Sequence, residues 1–135
     1  MKTLRITLLL CIGSALVLSS CDKDDDTAAT TAERLQHYWS VDSVSVKTTT
    51  TLGSATILYK GTANDYYDFK TNGNLHYKLN TEEDILPYSI LSNTWLLVDG
   101  DSAQIISLSN NRLHVYQKDV KNSTDYVETT AWFRR

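Results

Sequence analysis

The sequence predicts an all-β fold: a small antiparallel meander barrel of eight or nine strands, preceded by one short helix. Three observations predict it. All thirteen aromatic residues lie at or after Tyr38, which marks where a packed domain begins. Beyond that point helical periodicity is absent, and short runs rich in β-branched and aromatic residues alternate with turn chemistry. Nearly every connection is short, which favours pairing between successive strands over Greek-key crossings. Closing the sheet also removes the unpaired edges that endanger an open β-protein.

Each element has its own signal. Thr30-Thr31-Ala32-Glu33 has capping-box spacing, so a helix is expected over 31–37. A long first strand is expected over 38–48. Leu52-Gly53-Ser54 breaks the run before a second strand at 55–60. A third strand at 65–70 meets Thr71-Asn72-Gly73-Asn74, a hairpin turn because Asn-Gly tolerates positive φ. The return strand, 74–80, sets Leu75, Tyr77 and Leu79 on one face and His76 and Lys78 on the other. A strand at 85–91 contains Pro87, which predicts an irregularity or an edge. Strands at 94–98 and 103–108 flank a turn at Asp99-Gly100. Strands at 112–118 and 126–133 complete the set of nine.

Composition bounds the function. A chain of 135 residues suits one domain, and a net charge of −3 argues against a nucleic-acid partner. Two cysteines cannot form a disulfide scaffold or a four-cysteine zinc site. Residues 1–20 read as a secretion signal. Lys2 and Arg5 precede an apolar run ending at Leu18, shorter than the about 20 residues a membrane span needs.

Leu18-Ser19-Ser20-Cys21 resembles the lipobox of bacterial lipoproteins. That resemblance implies cleavage before Cys21 and acylation of its thiol and new amine, so the membrane is a partner through a lipid anchor. Each buried acyl methylene contributes about 0.8 kcal/mol, so three chains hold firmly. Asp22, Asp24, Asp25 and Asp26 follow at once. They resemble the surface-export signal of lipoproteins in one phylum of Gram-negative bacteria, which implies an outer-membrane, surface-exposed location. They also read as a solvated charge run that extends the linker. Residues 21–33 thus form an acidic, Thr-rich tether, and 34–135 the folded domain. Losing Lys2 and Arg5 from thirteen bases leaves eleven against sixteen acids, or −5.

Within 34–135 three segments resemble the lipocalin-like domains of bacterial lipoproteins. Leu35-Gln36-His37-Tyr38-Trp39 stands where that family has Leu-x-Gly-x-Trp, with His37 in place of its Gly. Tyr67-Asp68-Phe69-Lys70-Thr71-Asn72-Gly73 resembles the family's aromatic-x-Phe hairpin, and Ile106 to Leu113 its late Ile-x-Leu-Ser turn. The resemblance implies a barrel holding a small apolar ligand, with a first-strand Trp packed under a last-strand Arg. Here the pair is Trp39 with Arg134, or its neighbour Arg135.

The residues themselves supply no catalytic motif. His37, His76 and His114 lack metal-ligand spacing, and alternation sets His76 and His114 towards solvent. The acids at 82–84 and 99–101 fall at expected turns, where solvated carboxylates are the default. No metal or cofactor is expected, and the chain reads as non-enzymatic. If Leu75, Tyr77 and Leu79 face inward, their hairpin partner sends Tyr67 and Phe69 inward too. These five are the candidate cavity lining. The expected function is a lipid-anchored lipocalin-like barrel that binds a small apolar molecule. The alternative is a scaffold with a filled core that contacts protein or glycan through loops such as 47–51 and 118–125.

Overall fold

In a computed structural model, which describes residues 28–135, one helix precedes nine antiparallel strands. They are α1 (Ala28–Leu35), β1 (Tyr38–Thr50), β2 (Gly53–Lys60), β3 (Tyr66–Phe69), β4 (Asn74–Leu79), β5 (Glu82–Ile90), β6 (Trp95–Val98), β7 (Asp101–Leu108), β8 (Arg112–Val120) and β9 (Tyr126–Arg134). β1 pairs with β9 and closes the sheet. The predicted meander barrel is therefore present, as eight closed strands plus one extra.

The extra strand is β2. The start of β1 pairs with β3, Tyr38 opposite Asp68. Its remainder pairs with β2, from Ser43 opposite Lys60 to Thr50 opposite Gly53. β2 and β3 are thus one interrupted partner strand, with an excursion at 61–65. Beyond the excursion β2 has only β1 beside it and lies almost wholly exposed.

The helix sits three residues earlier in its start than the capping box predicts. Thr31 lies within it, buried at 3% exposure rather than capping its end. The helix stops at Leu35 because that carbonyl takes two other donors, the His37 amide at 2.7 Å and the Trp39 indole Nε1–H at 2.9 Å. His37 keeps a negative φ, so no glycine is needed there. Its carbonyl accepts the Phe69 amide and ties the helix exit to β3. Leu35 and Trp39 are fully buried, so α1 and its exit plug one end of the barrel.

Pro87 lies inside β5, neither at an edge nor at a break. Its carbonyl accepts the Asp99 amide at 2.8 Å, so the N–H it lacks would face the turn at Asp99-Gly100, where β6 has ended. No ladder bond is lost. Glu82, Glu83 and Asp84 likewise belong to β5 and not to a turn, because the turn is only Asn80-Thr81. Asn80 takes φ 58°, which lets Leu79 and Glu82 pair across the turn. Gly73 (φ 83°) performs the predicted turn between β3 and β4.

Candidate functional site: the barrel cavity

Strand alternation builds the site. Leu75 pairs with Phe69 and Tyr77 with Tyr67, so both strands send these side chains inward. The opposite wall comes from β8 and β9, where Val115 pairs with Ala131 and Gln117 with Thr129. Between them lies a cavity of about 270 Å³. Tyr67, Phe69, Leu75, Tyr77 and Leu79, the five residues singled out above, all line it.

The lining is graded along the barrel axis. Phe69, Leu75, Leu96 and Phe133, each buried, form an apolar floor against the helix-plugged end. Tyr67 and Tyr77 stand midway, rings 5.3 Å apart and tilted by 34°, with Phe133 5.0 Å from Tyr67. Glu82, Gln117 and Thr129 supply the polar groups, Glu82 from the rim beside the Asn80-Thr81 turn. Burial, then the neighbouring Tyr77 and Glu82, push the Tyr67 hydroxyl up to about 12. Burial, Glu82 and Asp84 raise Tyr77 as well. Both therefore remain neutral O–H groups at ordinary pH.

The pairing of Trp39 with Arg134 needs correction. Arg134 follows inward-facing Phe133 and so points outward, where its Nε lies 3.1 Å from the Asp42 carboxylate. Arg112, its cross-strand neighbour, reaches the same carboxylate at 2.7 Å. Arg135, one residue further, regains the inner side, and its guanidinium lies 5.6 Å from the Trp39 ring centroid.

His114 needs a second correction. It does face outward, but it is half-buried rather than open to solvent. Its cross-strand neighbour Trp132 stacks on it, centroids 5.0 Å apart and planes within 16°, and burial lowers its pKa. Its Nε2 is buried without a hydrogen-bond partner among the described residues. His76 also faces outward and is half-buried, in a groove with Tyr66 and Glu83. No group of three or more His, Cys, Asp or Glu residues among those described is placed to hold a metal ion. Cys21, Asp22, Asp24, Asp25 and Asp26 lie outside the described residues.

Sequence reasoning missed the rim. Glu82, Gln117 and Thr129 carry no motif, and local sequence places Glu82 at a turn. Alternation from Leu86, which pairs with Leu75, was the signal that could have placed Glu82 on the inner face.

Fold and site together define a small closed barrel, plugged at one end by a helix, with an apolar cavity and a polar rim. Comparison with family models, curated proteins and solved structures finds no match to this chain.

Proposed function

We propose that this protein is a lipid-anchored, lipocalin-like barrel of the bacterial outer membrane that carries a small apolar molecule. The observation that carries this reading is the cavity: side chains leave about 270 Å³ unfilled between an apolar floor and a polar rim. That is just under the range usual for drug-sized ligands, so it suits a compact one. A barrel acting only as a scaffold gains stability by filling its core, because each void forfeits packing contacts. The unfilled cavity therefore favours a carrier over the filled scaffold. The lipobox at Leu18 to Cys21 and the acids after it support the anchor and its surface location.

Native mass spectrometry of the intact protein, isolated from a bacterial envelope, tests the carrier function. The expected result is a discrete small-molecule adduct that vanishes on denaturation. A bare polypeptide mass, together with no uptake of any small apolar compound, would overturn it.

A further inference from the structure

The cavity's charge says more about its occupant than its size does. We propose that the barrel selects an organic cation, a compact aromatic or aliphatic body bearing an ammonium group. This rests on the carrier reading above and narrows it to one ligand class.

Among the described residues, Glu82 is the one charged side chain lining the cavity. Among the described residues its carboxylate has no ion pair. Asp84, opposite Tyr77, is exposed and outside the cavity lining, and its Oδ1 accepts the Ile85 amide at 2.7 Å, so Glu82 alone carries the charge argument. No Lys, Arg or His among the described residues lines the cavity. Three lysines on the surrounding strands are turned outward and engaged. Lys47 lies 3.3 Å from Glu128, Lys78 lies 3.8 Å from Glu83, and Lys118 sits 3.9 Å from the Tyr126 ring centroid.

An anionic head, such as a fatty-acid carboxylate, would meet like charge at the rim and find no cation to pair with. An ammonium would meet Glu82 and, below it, the electron-rich faces of Tyr67 and Tyr77. Its apolar body would reach the floor of Phe69 and Leu96. The cavity makes the site, and the carboxylate sets which charge it accepts.

Three probes of matched shape test this: 3-phenylpropylamine, 3-phenylpropanol and 3-phenylpropanoate. Each is titrated calorimetrically into the full-length protein in lipid nanodiscs, with protein-free nanodiscs as the control for partition. The amine should bind about tenfold more tightly than the alcohol, and the carboxylate most weakly. Glu82→Gln, at an exposed rim position, should bring the amine down to the alcohol. Val98→Phe, which fills the cavity, should abolish all three.

If alcohol or carboxylate binds as well as the amine, charge selection is wrong while the carrier reading stands. If Glu82→Gln keeps the preference, the assignment to Glu82 is wrong. If no probe binds, charge selection is wrong, and the carrier reading is decided by the native mass measurement above.

Discussion

Asp65 is the residue on which most of the irregular backbone depends. It is 1% exposed, and its carboxylate accepts hydrogen bonds from the Thr62 amide and hydroxyl, the Tyr59 hydroxyl and the Asn80 amide, at 2.6–2.7 Å. Burial alone would push its pKa up. The donors from Thr62, Tyr59 and Asn80 outweigh that and hold it well below the usual carboxylate range. A depressed folded pKa means the stabilisation is complete above about pH 4, the unfolded value, and drains away as pH falls towards the folded one. Asp65→Asn should cost about 2–3 kcal/mol at pH 7 in urea unfolding and flatten the loss of stability in acid. Identical acid limbs in the two proteins would count against this role. At the other end, Arg135→Ala should cost about 0.5–1 kcal/mol through the Trp39 contact. Arg134→Ala should cost less, because its partner Asp42 keeps Arg112 and both arginines are exposed. Equal midpoints for the two variants would remove Arg135 from the barrel base. The sequence narrowed that contact to two adjacent residues. Choosing between them needed the phase of the last strand, which alternation from Phe133 supplies.

Among the elements, β1 does the most, with β3 and then β2 on one edge and β9 on the other. The change of partner coincides with a register shift between Val41 and Ser43. There the Gly61 amide donates to the Asp42 carbonyl at 2.9 Å, and the chain crosses close over Val41. A Cβ on Gly61 would lie 1.9 Å from the Val41 carbonyl oxygen, against backbone that cannot yield. Gly61→Ala should therefore destabilise by about 1–3 kcal/mol, as overpacking does. Ile57→Lys on β2 is the contrast, because Ile57 is 71% exposed and outside the core cluster. Its effect on the denaturation midpoint should stay within about 0.5 kcal/mol. A large loss there would mean that β2 carries weight its exposure denies. The nine strands were legible because turn residues punctuate them. The limits of the helix were not. A capping box marks a local option, and the Trp39 indole that ends α1 comes from outside the helix.

Taken whole, the described residues form a barrel closed at the helix end and open at the rim. Cys21→Ala should move the protein out of the membrane fraction, and its persistence there would sink the lipoprotein reading. Replacing Asp24, Asp25 and Asp26 by Ala should reduce cleavage by external protease if those acids direct export. Unchanged cleavage would leave them as linker. Neither change touches the core cluster, which among the described residues runs from Leu35 to Phe133.

Local chemistry in the chain was enough for the strand count, the turns at Asn72-Gly73 and Asp99-Gly100, and the inward face of Leu75, Tyr77 and Leu79. These follow from a period of two and from which residues tolerate positive φ, and neither depends on distant contacts. Closure, the exclusion of β2, the stacking of His114 on Trp132 and the placing of Glu82 at the cavity rim all required long-range pairing. Each depends on which strand lies beside which and in what register, and many registers satisfy the same alternation until the packed core selects one.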